Sequence, residues 1–287
     1  MDVKQPSTYE EQLQKLKERG CIIHNENMAI EILHYVNYYR LTAYFLPFKI
    51  SQDKYAAGTS FEKVYKIYEF DRKMRSILAP IIEELELMLR TQLAYYHAHK
   101  YGPLGYLDPK NYNGYHDHDK FMQHIKKDIK NNRNQPAVKH HLKKYNGKFP
   151  IWVIIEYSTM GELSYFYDDL LRSDKKALAK SLFKSIDTNV SSWLMCLTYL
   201  RNFCAHYSRL YFFDFPAIPA TPKNNPYKLW RKLFDYIYVL KLLCLGRFHW
   251  NSSFMNNLKV LIDEYQEYID LRCIGFPENW YDLLLHS

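Results

Sequence analysis

The chain has 287 residues, of which 47% are hydrophobic, and its formal net charge is +8. A chain of this length can bury a full core as one large domain or as two small ones. It has no run of 18 apolar residues, and its first twenty residues are polar and of mixed charge, so we expect neither a signal peptide nor a membrane span. Five scattered cysteines without a C-x-x-C pair predict free thiols in a reducing cytoplasm, and no disulfide framework or zinc site.

Helical spacing of the apolar residues and a low glycine content of 9 residues predict an all-α protein. In chain order, helices are predicted at residues 9–20, 26–39, 61–101, 117–131, 138–145, 151–160, 161–171, 174–183, 190–211, 227–246 and 253–271. Pro80 predicts a kink in the third helix, and the pair Gly102-Pro103 predicts its end. Four prolines within residues 215–226 predict a connector before a C-terminal pair of helices.

The segment LRNFCAHYSRL, residues 200–210, combines an arginine, an amide and a histidine. Arg201 carries a permanent charge that can neutralise a phosphate, and His206 can accept or donate a proton near neutral pH. Asn202 can orient either group. On a helix, Asn202, His206 and Arg209 are spaced i, i+4 and i+7 and line one edge. The other positions predict an apolar face that buries the helix: Leu200, Phe203, Cys204, Tyr207 and Leu210. The alternative is that His206 only packs or caps a helix and that the arginines are surface charges.

The excess positive charge is concentrated in residues 120–148, which hold nine Lys or Arg against the single acid Asp128. Clustered cations bind polyanions by releasing counterions, so this segment predicts a surface for RNA. A solvated surface that only maintains solubility is the alternative. The candidate RNA-binding residues are Lys126, Lys127, Lys130, Arg133, Lys139, Lys143 and Lys144.

Three further charged residues lie in apolar or helical surroundings. Glu86 precedes Arg90 by four residues, the favourable order for a pair within a helix, and either residue could support the group at Arg201 and His206 if the two helices pack together. Arg40 stands alone in an aromatic segment, where it is either a stacked structural arginine or a ligand for phosphate.

The histidines of His97-Ala98-His99 and His116-Asp117-His118 lack ligands that would complete a metal site, so no metal or cofactor is expected.

The run RNFCAHYSRL resembles the R-x4-6-H signature of the HEPN ribonuclease superfamily. Further blocks resemble those of the Abi abortive-infection family, of the AbiD and AbiF type: YYRLTAYFLPF (38–48), FDRKMR (70–75), EELELMLR (83–90), PIWVIIEYSTMGELSYFY (150–167) and GFPENW (275–280). The resemblance implies a HEPN-like helical bundle with additional N-terminal and C-terminal helices. We expect an N-terminal region at 1–60, a core at 61–215 with a basic insertion at 116–148, and a connector with a helical pair at 216–287.

The same resemblance implies a bacterial phage-defence protein that cleaves RNA without a metal. Arg201, His206 and Asn202 would be catalytic, and Arg209, Glu86 and Arg90 would support them. Because HEPN ribonucleases usually pair two motifs, a homodimer is expected. The alternative is an RNA-binding defence protein, bound to a small noncoding RNA, whose motif is restrained or inactive.

Overall fold

The computed structural model describes residues 5–285, and this part of the chain is predominantly helical. Its thirteen α-helices are α1 (Tyr9–Glu18), α2 (Glu26–Tyr35), α3 (Tyr38–Phe45), α4 (Phe61–Tyr101), α5 (His118–Asn131), α6 (Pro136–Lys144), α7 (Ile151–Ile154), α8 (Met160–Asp169), α9 (Arg172–Phe183), α10 (Asp187–Ala205), α11 (Leu233–Cys244), α12 (Met255–Tyr265) and α13 (Trp280–Leu284). The prediction of an all-α fold is confirmed, with one small addition. A two-stranded antiparallel hairpin, β1 (Lys49–Ser51) and β2 (Lys54–Tyr55), lies between α3 and α4.

Helix α4 has 41 residues and occupies the centre of the fold, since α3, α7, α8, α10, α11 and α12 all pack against it. Ser60 begins the helix by accepting a hydrogen bond from the Lys63 amide, and Gly102, with a φ of 81°, ends it. These bounds agree with the predicted range 61–101. The helix continues through Pro80, so this proline does not end it, and the kink stays a prediction.

The helix predicted at residues 26–39 ends at Tyr35, and a second helix that was not predicted, α3, begins at Tyr38 and continues to Phe45. Val36 is extended, and the Asn37 side chain then caps α3 by accepting a hydrogen bond from the Tyr39 amide. An extended residue and an Asn cap stop one helix and start the next. The break lets α3 take its own direction and pack on α4.

Buried side chains from Leu13 in α1 to Leu284 in α13 form one contiguous hydrophobic core. The three predicted regions therefore share a core, and their division at residues 60 and 215 stays a prediction. Residues 206–232 form neither α-helix nor strand, so the predicted helices at 190–211 and 227–246 are shorter than expected at the ends that face this stretch, and the connector predicted at 215–226 lies within it. All five cysteines are free, as predicted. Between residues 5 and 285, no helix is both long enough and apolar enough to cross a lipid bilayer.

Candidate functional site

Helix α10 carries Arg201 and Asn202 in its last turn and ends at Ala205, before the predicted end at residue 211. His206 caps the helix, and its amide donates a hydrogen bond to the Asn202 carbonyl at 2.9 Å. The predicted i+7 position of Arg209 on the same helical edge is therefore wrong. So is the predicted burial of Tyr207, which leaves the helix with 67% of its surface exposed.

Two backbone hydrogen bonds explain why the helix stops at this point. The Ser208 amide donates to the Phe203 carbonyl at 2.9 Å, and the Tyr207 amide donates to the Cys204 carbonyl at 3.3 Å. This pair of bonds is a Schellman motif, which needs a left-handed residue just after the cap. Tyr207 takes that conformation, with a φ of 56°. The helical spacing read from the sequence cannot extend past such a residue.

The imidazole of His206 is exposed to solvent. Within residues 5–285, no side chain or carbonyl forms a hydrogen bond with either of its ring nitrogens. Both nitrogens can therefore exchange a proton with a bound molecule. Within the same described range, no three His, Cys, Asp or Glu side chains are grouped as a metal site.

Arg201 contacts α4 through the predicted supporting residues. Its Nε donates to Glu86 Oε2 at 3.3 Å, while Glu86 Oε1 accepts a hydrogen bond from Arg90 Nη2 at 2.8 Å. Arg90 in turn donates to the carbonyls of Ile155 and Ser158, at the turn that follows α7. Glu86 is thus shared by two guanidinium groups, and the side chain of Arg201 is held in one direction. The structure brings these three residues together as the sequence suggested.

A cleft of about 320 Å³ lies between α4 and α10 beside Arg201, and Glu83, Glu86 and Cys204 contribute to its lining. Burial raises the pKa of Cys204 to about 12, so this thiol stays protonated at neutral pH and is a poor nucleophile. Asn202 is exposed beside the cleft, and its Oδ1 lies 3.5 Å from Arg201 Nη1. His206 and Asn202 at the helix end and the exposed carboxylate of Glu83 are therefore the polar groups that an exposed ligand could meet here.

The segment after His206 is fixed by Asp71, a residue of α4 that sequence reasoning missed. Its buried carboxylate accepts hydrogen bonds from the Leu210 and Tyr211 amides, both at 3.0 Å, and from the Tyr44 hydroxyl at 2.6 Å. Arg75 adds a salt bridge at 2.8 Å and also donates to the Ser208 carbonyl at 2.9 Å. The available signal was an acid and an arginine spaced i, i+4 within the apolar stripe of α4.

Helix α3 contacts the same segment through two arginines in opposite directions. Arg40 of α3 donates to the Tyr207 carbonyl, and Arg209 donates back to the Ala43 carbonyl. Burial lowers the pKa of Arg209, whose guanidinium nevertheless stays charged at neutral pH. Arg209 thus supports the site through α3 instead of through the helical edge that was predicted. Arg40 remains exposed, with donors left for a ligand.

The predicted RNA-binding cations of residues 126–144 lie on α5, on α6 and, for Arg133, in the turn between the two helices. We call these seven residues the basic segment. All seven are exposed: Lys126, Lys127, Lys130, Arg133, Lys139, Lys143 and Lys144. None of them forms a salt bridge with a residue of the described chain. Their charge is therefore not neutralised by the protein itself. Helix α5 of this segment packs on α7, and the carbonyls of the turn that follows α7 accept hydrogen bonds from Arg90.

A family model for Abi-like proteins matches residues 31–212, more than half of the chain. This chain belongs to the Abi-like protein family. The match includes α3, α4, the basic segment and the segment LRNFCAHYSRL, whereas the GFPENW block at 275–280 lies outside it. Membership of this family associates the protein with abortive infection, a form of phage defence. None of the curated proteins and none of the solved structures matches it.

Proposed function

We propose that this Abi-like protein is a metal-independent endoribonuclease of the HEPN superfamily, AbiD/AbiF-like in type, that acts in phage defence in the cytoplasm. One observation carries the proposal. An exposed imidazole without a hydrogen-bond partner in the described chain, that of His206, stands at the end of the helix that presents Arg201, and Glu86 orients that arginine. A histidine held only for packing would be buried or bonded.

The reaction is a transesterification within RNA. His206 takes the proton from a ribose 2′-hydroxyl, whose oxygen attacks the adjacent phosphorus, or it protonates the departing 5′-oxygen. Arg201 stabilises the negative charge that develops on the phosphate oxygens, and Asn202 orients the same phosphate. The P–O5′ bond breaks as the P–O2′ bond forms. The products are a 2′,3′-cyclic phosphate and a 5′-hydroxyl, and DNA is not cleaved because it lacks the attacking hydroxyl.

One chain supplies a single motif histidine, whereas the reaction needs both a base and an acid. A two-fold homodimer that brings the ends of two α10 helices together would supply the second His206. The exposed position of His206 leaves it accessible to such a partner. A protein that stays monomeric in sedimentation while it cleaves RNA would contradict the two-histidine version of the mechanism.

The deciding experiment compares wild type with His206→Ala on a 5′-labelled RNA in the presence of EDTA. Cleavage should fall about 100- to 10,000-fold in the variant, the usual contribution of general acid–base catalysis. The melting temperature should not change, because the lost ring makes no hydrogen bond in the described structure. His99→Ala is the control for cleavage alone, since His99 is another exposed histidine of a helix end but its ring also bonds the Tyr95 carbonyl at 2.8 Å. Cleavage by His206→Ala at the wild-type rate would refute the proposal.

A second candidate function is suggested by the unneutralised basic segment. In this alternative the protein binds RNA, as part of a defence ribonucleoprotein with a small noncoding RNA, and the motif is restrained or inactive. Charge reversal at Lys126, Lys127, Lys143 and Lys144 should then abolish the cellular phenotype, while His206→Ala leaves it intact. An RNA of one defined length that copurifies with the protein would favour this function.

A further inference from the structure

Tyr207 combines three properties that the nuclease proposal leaves unexplained. It directly follows His206, its side chain is 67% exposed, and its φ is 56°. Consecutive Cα atoms are about 3.8 Å apart, so the phenol ring originates within one residue of the proposed catalytic imidazole. An exposed aromatic ring beside a reaction centre is available to a bound ligand.

The backbone conformation of Tyr207 is energetically unfavourable for a residue that carries a side chain. The residue occupies the position of a Schellman motif where glycine is usual, because a Cβ atom is unfavourable at positive φ. Glycine or asparagine there would end the helix at a lower cost in free energy. Such strain persists when surrounding contacts enforce it, and it is concentrated at functional sites. Here the Arg40 guanidinium binds the Tyr207 carbonyl, and Asp71 and Arg75 fix the residues that follow.

The residues of α3 at the Tyr207 backbone are cationic and aromatic. Arg40 is exposed next to the Tyr207 carbonyl, and Tyr39, the residue before it on α3, is 85% exposed. Arg201 lies in the last turn of the preceding helix. Aromatic faces beside arginines are the usual platform for single-stranded nucleic acid, since every base can stack and the phosphates pair with the cations.

We propose that Tyr207 is a base-stacking residue, which holds an unpaired nucleobase next to the scissile phosphate while Arg40 contacts the adjoining phosphate. The substrate class is therefore single-stranded RNA, because a base inside a duplex cannot stack on an outside ring. This inference deepens the proposed ribonuclease function and rests on it for the identity of the neighbouring phosphate.

The test measures binding of a fluorescein-labelled single-stranded RNA in a His206→Ala background, where RNA is not cleaved. Adding Tyr207→Gly removes the ring and relieves the positive φ. Affinity should fall about 5- to 100-fold, the range for loss of one base–aromatic stack, while the melting temperature stays equal or rises. Tyr207→Trp should restore affinity to within about twofold of the parent, because indole also stacks. Tyr165→Ala, which removes another exposed ring on α8, is the control that should bind like the parent.

A duplex of the same sequence separates stacking from simple charge attraction. The His206→Ala parent should bind the single strand more tightly than the duplex, and adding Tyr207→Gly should reduce that difference in affinity. Equal binding of single strand and duplex by parent and variant would overturn the inference. So would a shift from dimer to monomer in Tyr207→Gly, since the ring would then be a subunit contact. Because the binding assay does not use cleavage, an inactive wild type would refute the nuclease and leave the stacking result decisive for its own inference.

Discussion

The basic segment and the end of α10 are both cationic, but their charges are placed in opposite ways. The seven cations of the basic segment are exposed, and none forms a salt bridge within the described residues. At the end of α10, Arg201 is held by Glu86, Arg209 by the Ala43 carbonyl and Arg40 by the Tyr207 carbonyl. The cations of the basic segment are thus free of salt bridges, whereas hydrogen bonds fix the direction of the arginines near the end of α10.

The difference separates two tasks that RNA cleavage requires. Free, mobile cations give affinity that depends on salt and little on geometry. A group that stabilises charge in a transition state must instead be held in place before the reaction begins. Mutations in the basic segment should therefore change RNA affinity, whereas mutations of the residues that fix Arg201 or the turn after His206 should change turnover or stability.

The largest effect is expected from Asp71→Ala, which removes the carboxylate that fixes the end of the motif. Arg75 would be left buried without its counter-ion, and the Leu210 and Tyr211 amides would lose their acceptor. Loss of one partner of a buried pair costs about 3–5 kcal/mol of unfolding free energy, which urea denaturation can measure. Tyr44→Phe, which removes only one hydroxyl from the same carboxylate, should cost about 1 kcal/mol. Equal losses in the two variants would show that Asp71 is not the centre of this clamp.

The next effect concerns Glu86→Gln, which leaves an acceptor but removes the charge shared by Arg201 and Arg90. We expect kcat to fall up to about 100-fold through misplacement of Arg201, with KM nearly unchanged. The double variant with Arg201→Ala should have the same kcat as Arg201→Ala alone, because Glu86 acts through that arginine. Glu83→Gln is the control, since Glu83 is an exposed carboxylate of the same cleft without a hydrogen bond to Arg201. If Glu86→Gln loses activity only because it is partly unfolded at the assay temperature, as a lower melting temperature would show, then Glu86 has a structural role alone.

The smallest effect is expected from neutralising the basic segment with Lys126→Ala, Lys127→Ala, Lys143→Ala and Lys144→Ala together. RNA affinity at 150 mM salt should fall roughly tenfold, and the slope of log affinity against log salt should decrease by up to roughly 3. The melting temperature and the kcat at saturating RNA should not change, because these exposed lysines form no salt bridge within the described residues and only Lys144 lies over a ring, that of the exposed Tyr145. Lys176→Ala with Lys180→Ala, on the exposed side of α9, is the matched surface control. An unchanged salt slope would exclude the basic segment from RNA contact.

Local signals predicted α4 well, because Ser60 and Gly102 mark its ends and its apolar spacing is unbroken for 41 residues. The pair Glu86 and Arg90 was also found from its i, i+4 spacing, and the structure adds its contact with Arg201. The end of α10 was not predicted, since Ala205 is followed by no glycine or proline. A tyrosine takes the left-handed position there.

The contacts that hold this turn are distant in sequence. Arg40 reaches Tyr207 across 167 residues and Asp71 reaches Leu210 across 139, so no local pattern contains them. Arg209 was placed by helical spacing that ends before it. The sequence did place Asp71 among the apolar residues of α4. A charged group in such a buried position needs a partner.

The span between Asp71 and Tyr211 also has a consequence for synthesis of the protein. Residues 71 and 211 are separated by 140 positions, which a ribosome adding about 5–20 residues per second needs roughly 7–28 s to translate. Until Leu210 and Tyr211 are made, Asp71 has no backbone amide to bind, and the turn that carries His206 lacks these two hydrogen bonds. A chain interrupted in that interval lacks the bonds that fix the end of the motif, so we expect incomplete translation products to lack the proposed site.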